Sequence, residues 1–154
     1  MLMFIKCINS NTIVQLIINR IGEQKILSDD FERPQEIYVN GEIQDYAEYY
    51  NLTKPENNII MKWQNQLSDL NNMFFNSSNI TKVDFSNGLL SAINIGVICG
   101  ISSLKSLNLN NFSITSDDDN DISDMFSGCS SLISLNVNNF SITSKYENKI
   151  QNMF

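Results

Sequence analysis

An internal repeat constrains the fold of this chain more than any other feature, because repeats of a few tens of residues belong to stacked architectures. Residues 97–124 and 125–152 align without a gap at a spacing of 28 residues. The block 110–116 returns unchanged as 138–144. Chance does not produce such a match, so both segments are expected to adopt one shared local structure.

A third, diverged copy precedes these two and occupies 73–96, and the truncated start of another lies at 153. One copy cannot bury its own apolar face, and roughly three are needed for a stable array. We therefore predict two regions. Residues 1–70 form an N-terminal β-rich cap or leader, and residues 71–154 carry the leucine-rich-type repeats.

Within a copy, the apolar residues follow the pattern L-x-x-L-x-L, beginning at Leu104 and at Leu132. This pattern places alternating residues on one face of a short strand and is typical of leucine-rich repeats. Asparagines such as Asn111 follow each strand and favour a turn. Stacked copies would align them in a column, while Phe112 and Ile114 point back into the core.

The first seventy residues read as strands joined by turns. Asn40-Gly41 is a strong signal for a hairpin. After the third strand we favour a short helix over 67–75, although the spacing of the apolar residues in 59–74 also fits a longer helix. The predicted strands are 14–18, 36–43 with its central turn, and 58–63.

Residues 125–132, MFSGCSSL, resemble the repeat of BspA-like surface proteins, and more closely its mycoplasma and protist lipoprotein-type branch with MF-x-G-C-S-S-L copies. Residues 24–31 and 36–41 are similar to the leader that precedes the array in protist members. The resemblance implies a leucine-rich-repeat-like parallel β solenoid at the cell surface or outside the cell, serving adhesion, with no catalytic residues. Residues 97–101 depart from the family's MF-x-G-C pattern.

The fold class expected from these observations is α+β or mainly β, a parallel β solenoid with an N-terminal β cap. The net charge of −7 argues against a nucleic-acid partner, which needs a basic surface. The chain has no histidine, which removes histidine-based catalysis and histidine zinc sites. No apolar run has the length of a secretory signal or a membrane span. No cofactor is predicted.

Two local features were weighed as sites. The acidic run of Asp117, Asp118, Asp119 and Asp121 could offer oxygens to calcium, but it lacks the glycine and distal glutamate of an EF-hand loop, so a solvated loop is favoured. Cys99 and Cys129 could be bonded on neighbouring copies, although unreactive buried thiols are the default for these two. Cys7 is too distant in sequence to be assigned.

The leading functional hypothesis is a non-enzymatic repeat protein that presents its strand face to a protein or glycan. The alternatives are a structural spacer or fragment of a longer array, which would self-associate through its open C-terminal copy, and, least favoured, an enzyme. Five Asn-x-Ser/Thr sites are candidates for N-glycosylation: Asn51, Asn76, Asn79, Asn111 and Asn139. The predicted interaction surface consists of Lys105, Ser106, Asn108, Ile133, Ser134 and Asn136.

Overall fold

A computed structural model describes residues 12–67, 69–70, 72–75, 77–87, 91–92, 101–116, 126 and 128–144. These residues form strands and turns, and no helix occurs among them. The strands are β1 (Thr12–Ile18), β2 (Gly22–Gln24), β3 (Glu36–Val39), β4 (Glu42–Gln44), β5 (Tyr50–Leu52), β6 (Asn57–Trp63), β7 (Ile80–Asp84), β8 (Ser91–Ala92), β9 (Ser106–Asn108), β10 (Ser113–Ser116), β11 (Ser134–Asn136) and β12 (Ser141–Ser144).

The main sheet has seven strands in the order β11-β9-β7-β1-β6-β3-β4. Strands β7, β9 and β11 run parallel to one another, whereas β1 pairs antiparallel with both β7 and β6. A three-stranded parallel sheet, β12-β10-β8, and a two-stranded sheet, β2-β5, complete the fold. The main sheet is therefore mixed, with the change of direction at β1.

The predicted fold class is wrong. The α+β or mainly β leucine-rich-repeat solenoid required a parallel array with the N-terminal strands as its cap, whereas the described residues form open, mixed β-sheets without helix. The N-terminal strands instead enter the same sheet through the pairing of β1 with β7. Each later copy returns through a strand, because the sequence Ser-Ile-Thr-Ser of β10 and β12 is rich in β-formers.

The repeat does set the strand register. Ser106 on β9 lies opposite Ser134 on β11, at the predicted spacing of 28, and opposite Lys82 on β7, which belongs to the diverged copy. On the return strands, Ser113 pairs with Ser141. The copies thus align residue by residue, because equivalent side chains bury equivalent faces.

The antiparallel strands confirm three sequence predictions. β1 and β6 both alternate buried and partly exposed residues along their full length, as a sheet with one covered face requires. β3 and β4 form the expected hairpin, with φ of 55° at Asn40 and 91° at Gly41. Two positive φ values in succession are what a tight two-residue hairpin turn demands.

The core lies on one side of the main sheet and extends under the return strands. It contains Trp63, and Phe112 and Ile114 point into it as predicted. The rings of Phe85, Phe112 and Phe140 follow one another at centroid distances of 6.0 and 6.1 Å. This ring series joins the diverged copy to the two regular ones.

The short helix predicted for 67–75 is wrong. In the described part of this segment, Met73 N–H donates to the Leu70 carbonyl and Phe75 N–H to the Asn72 carbonyl, so the chain forms tight turns. Asn72 has a φ of 57°, a left-handed conformation that ends a right-handed helix. The apparent helical spacing arose because strand residues and turn residues both point into the core.

Candidate interaction surface on the outer face of the main sheet

The side of the main sheet that points away from the core is called the outer face. Its residues are the partly exposed members of the alternating strands, together with Asp84 by register. They are Ile43 on β4, Glu36 and Tyr38 on β3, Asn58, Ile60 and Lys62 on β6, Ile13, Gln15 and Ile17 on β1, Lys82 and Asp84 on β7, Ser106 and Asn108 on β9, and Ser134 and Asn136 on β11.

The outer face is ordered in rows that run across the strands. Cross-strand neighbours are the contacts that stabilise a sheet surface and set its chemistry. The longest row follows the register through all seven strands: Ile43, Tyr38, Ile60, Gln15, Asp84, Asn108 and Asn136. Its character changes from apolar at the β4 end to polar at the β11 end.

Four of the six predicted surface residues lie in these rows. Asn108 pairs with Asn136, and Ser106 pairs with Ser134. Lys105 and Ile133 are exposed just before the two strands, where Ile133 N–H donates to the Lys105 carbonyl at 3.0 Å. The structure thus brings the predicted residues together on two neighbouring strands.

Glu36, Tyr38 and Lys62 form a polar cluster on the antiparallel part of the outer face. Lys62 Nζ lies 3.0 Å from Glu36 Oε2 and 4.5 Å from the centroid of the Tyr38 ring. The Tyr38 hydroxyl donates to the same carboxylate oxygen at 2.9 Å. Hydrogen bonds from Lys62 and then Tyr38 lower the pKa of Glu36, while its bond to Glu36 raises the pKa of Lys62. The charges on this cluster are therefore mutually compensated.

Asp84 begins a column of side chains that continues through the two regular copies. Its Oδ1 accepts hydrogen bonds from Ser86 N–H at 2.9 Å and from Asn108 Nδ2 at 3.1 Å. Asn108 and Asn136 each accept a bond from the backbone N–H two residues later, at 3.1 Å. One turn geometry therefore recurs at the end of each parallel strand, and the Asp84 side chain that makes the first of these turns also links to Asn108 on the next strand.

The neighbouring hydrogen-bond donors and Lys82 stabilise the negative charge of Asp84. Burial raises the pKa of this carboxyl, since Asp84 is 7% exposed. Hydrogen bonds from Ser86 and Asn108, together with the charge of Lys82, outweigh burial and leave the pKa below its ordinary value. Asp84 is therefore a paired structural carboxylate.

A second asparagine column lies at the turns. Asn111 and Asn139 have φ values of 60° and 54°, and Asn139 Nδ2 donates to Asn111 Oδ1 at 3.0 Å. The predicted asparagine column is confirmed at this pair. N-glycosylation would engage the Asn139 nitrogen that makes this bond and the Asn79 nitrogen that donates to Gln24 at 3.0 Å. Asn51 is exposed on β5, and Asn76 lies outside the described residues.

Sequence reasoning missed the apolar part of the outer face. Ile13, Ile17 and Ile60 alternate with core residues and keep part of their surface accessible. A sheet with one solvated face usually alternates apolar and polar residues. The signal was visible in the sequence TIVQLII of β1, which has isoleucine at both phases of the alternation.

The other sites proposed from the sequence fall largely outside the described part of the chain. This applies to Asp117, Asp118, Asp119 and Asp121 and to Cys7 and Cys99. Cys129 is half-buried, and its N–H donates to the Phe126 carbonyl at 3.1 Å. Within the described ranges, no three acidic or cysteine side chains are grouped to hold a metal ion.

Over the same ranges, no helix is long and apolar enough to cross a membrane. In comparisons with known proteins, no protein-family model matches the chain, and neither a curated protein nor a solved structure matches it significantly. The resemblance to BspA-like surface proteins and the domain division near residue 70 therefore stay predictions.

Proposed function

We propose that this chain is a non-enzymatic binding module whose outer face contacts a protein or a glycan, as an adhesion protein at a cell surface would. The observation that carries the proposal is the set of partly exposed isoleucines, Ile13, Ile17 and Ile60, in the middle of a face whose opposite side already supplies the core. The three surround Gln15, with Ile60 opposite it and Ile13 and Ile17 two residues away on either side. Accessible apolar side chains that are grouped on one face mark an interaction site more often than scattered ones do.

The arrangement around these isoleucines favours a protein ligand over a glycan. Tyr38 lies beside Ile60, and tyrosine is enriched at the centres of protein interfaces. The nearby charges are already compensated, Lys62 by Glu36 and Lys82 by Asp84 at 3.5 Å. Removing water from an apolar centre whose surrounding charges are already paired has a small free-energy cost of desolvation.

The first test is direct binding. The purified chain is immobilised and exposed to fibronectin, laminin, type I collagen and a panel of defined oligosaccharides, with surface plasmon resonance as the readout. For a ligand that binds, Ile60→Thr should weaken affinity by about 10-fold or more, which corresponds to about 1.4 kcal/mol. Threonine keeps the β-branched shape, and a thermal melt checks that the sheet is intact.

Ile21→Thr is the matched control. Ile21 is 59% exposed and lies between β1 and β2, away from the outer face. Affinity should be unchanged in this variant. Equal affinities for wild type, Ile60→Thr and a second outer-face variant, Tyr38→Ser, would refute the assignment of the outer face. Preferential binding to an oligosaccharide would correct the ligand class to glycan.

Cell-surface display has its own test. Intact source cells are treated with protease, and the released peptides are examined by mass spectrometry for the segment from Ser106 to Lys145. Release from intact cells is the expected result. Release only after lysis would contradict the adhesion role and favour an internal spacer.

A further inference from the structure

A pocket of about 220 Å³ lies between two loops that are distant in sequence. The loop after β2 contributes Ser28, Asp30 and Phe31, and the tight turns after β6 contribute Asn72 and Phe75. All five residues belong to the described part of the chain. None of them is a member of the outer face, so the pocket is a second, separate feature of the surface.

The walls of this pocket are held by contacts that reach into the core. Ser28 N–H donates to the Met73 carbonyl at 2.9 Å and so joins the two loops. Phe31 N–H donates to the Ser28 carbonyl at 3.3 Å, and the Phe31 ring meets Trp63 edge-on at 6.1 Å. Met73 and Trp63 are fully buried. A ligand would therefore find the pocket already formed, which reduces the entropic cost of binding.

Ser28 is the residue that most directly indicates a ligand. It is 6% exposed, and it lines the pocket. Across the described residues, no group makes a hydrogen bond with its Oγ, although its backbone N–H and carbonyl are both engaged. Hydroxyls in such buried positions are hydrogen-bonded in most proteins. The Ser28 hydroxyl is therefore available to a polar group that enters the pocket.

The charge of the pocket is negative. Asp29 is paired with Lys25, whereas no basic group in the described ranges pairs with its neighbour Asp30. The lining contains no lysine or arginine. The whole chain has a net charge of −7, and such a field raises the local concentration of cations. The pocket thus favours a positively charged ligand.

The form of that cation follows from the other groups. Phe31 and Phe75 supply aromatic walls, which suit a methylene stem and attract an ammonium group. The hydroxyl of Ser28, the carboxylate of Asp30 and the amide oxygen of Asn72 can each accept a hydrogen bond. A primary ammonium group has three N–H donors, which equals the number of accepting groups.

Other classes of ligand fit this pocket less well. An anion would meet the Asp30 carboxylate without a basic group to bind it. Calcium needs six to eight oxygens, and no three acidic or cysteine side chains are grouped within the described ranges. A neutral sugar could use the same oxygens, but it would leave the charge of Asp30 without a counterion.

We propose that this pocket binds a primary alkylammonium group, with the nitrogen hydrogen-bonded to Ser28, Asp30 and Asn72 and the stem beside the two phenylalanine rings. The same chemistry is present in the lysine side chain of a protein and in a small free amine. The site goes beyond the proposed contact through the outer face and does not depend on it.

The test is an NMR titration of the full, ¹⁵N-labelled chain with Nα-acetyl-lysine methylamide. The amides of 28–31 and 72–75 should shift and saturate, with a dissociation constant in the millimolar range expected for so small a ligand. Nα-acetyl-norleucine methylamide, which has no ammonium group, should produce no saturable shift. Equal binding of the norleucine compound would overturn the proposal, because it would identify an apolar slot.

A trimethylated lysine probe separates hydrogen bonding from attraction to the rings. It keeps the positive charge and has no N–H donor, so it should bind about 10-fold more weakly or worse. Equal or tighter binding would overturn the assignment of the three oxygens. Binding of methyl glucoside in the absence of any amine binding would overturn the proposal in favour of a sugar.

Variants test the residues of the pocket. Asp30→Asn keeps the shape and removes the counterion, so it should weaken binding of the lysine probe by about 10-fold or more. Glu32→Gln is the matched control, because it removes the same charge from an exposed side chain that does not line the pocket. Its affinity should equal that of wild type. Equal weakening by both variants would overturn the site, since the overall field of the chain would then explain the binding.

Two further comparisons complete the experiment. n-Butylammonium has the ammonium group and stem of lysine without its backbone amides. Equal affinity for both probes would identify a free amine as a sufficient ligand, whereas tighter binding of the lysine probe would favour a protein lysine. Ile60→Thr, on the outer face, should leave amine binding unchanged. The pocket and the proposed function can therefore fail separately.

Discussion

The antiparallel part of the main sheet and its parallel part reach order by different means. β1 and β6 are seven residues long and pair along their whole length, and neither sequence recurs in another described strand. β7, β9 and β11 have three to five residues each, and β9 and β11 have the same sequence, SLN. Pairing in the antiparallel part depends on sequences that occur once, whereas pairing in the parallel part depends on one repeat unit packing against an equivalent unit.

The difference teaches where each part is vulnerable. In the antiparallel part, a change of register by one residue would turn the whole apolar set of β1 to the other face. In the parallel part, each copy relies on the next for cover, as the fall in burial from Leu107 to Leu135 records. Unique neighbours fix the register of the antiparallel part, whereas in the parallel part the burial of one copy depends on the copy that follows it.

The largest loss of stability is expected from a substitution in the antiparallel part of the sheet. Trp63 is fully buried, its indole Nε1 donates to the Glu32 carbonyl at 2.9 Å, and its ring meets Phe31 edge-on at 6.1 Å. Trp63→Ala should reduce the free energy of unfolding by about 3–5 kcal/mol, since the cavity cannot be refilled. Urea titration followed by circular dichroism measures the loss. A loss below about 1 kcal/mol would show that the antiparallel part contributes little to stability.

The next prediction compares one repeat position in two copies. Leu107→Ala should cost about 2–5 kcal/mol, as for a buried leucine, and Leu135→Ala less than half of that. Both residues are leucines at equivalent positions of their copies, and they differ in how deeply the side chain is buried. Urea titrations near 1 µM keep any association out of the comparison. Equal costs would mean that Leu135 is covered as fully as Leu107 and would remove the contrast between the copies.

The smallest effect concerns Asp84, which lies at the junction of the two parts. Its pKa is lower in the folded chain than in the unfolded one, so its contribution to stability is complete above the unfolded value of about 3.9 and is lost as the pH falls through the folded value. Asp84→Asn keeps the shape but replaces charge-assisted hydrogen bonds by neutral ones. Near pH 7 the variant should be less stable by about 1 kcal/mol.

Unfolding free energies of wild type and Asp84→Asn, measured from pH 7 down to pH 2.5, test this. The two curves should begin to approach one another as the pH falls below about 4 and should meet below the folded pKa of Asp84. Asp45→Asn, at an exposed aspartate in the loop after β4, serves as the control. A constant difference at all pH values would show that the Asp84 charge does not stabilise the fold.

Sequence patterns were sufficient for the local parts of this fold. Short apolar runs at 14–18 and 58–63 identified β1 and β6, Asn40-Gly41 identified the β3–β4 hairpin, and the repeat spacing gave the register of β9 with β11. Each of these depends on residues that are close in sequence or related by a fixed shift. For the same reason, four of the predicted surface residues fell into aligned rows.

The parts that sequence missed depend on long-range pairing. Nothing local in β1 indicates that it pairs with β7, more than sixty residues later, and that pairing turned the expected cap into part of the main sheet. The return strands β10 and β12 were overlooked because the leucine-rich pattern describes only the first strand of a copy. The outer face was underestimated because its antiparallel part lies outside the repeat.

Asp84 has a consequence for how such a chain can grow. The Asn108 amide donates back to Asp84, and a carboxylate can accept hydrogen bonds but has none to give. The column therefore has a first rung, because Asp84 can only receive a hydrogen bond from the copy that follows it. Duplication of a 28-residue unit downstream adds rungs while every contact of the older, non-repeated strands is preserved. Gene duplication can thus lengthen the molecule in one direction without changing the contacts of the antiparallel strands.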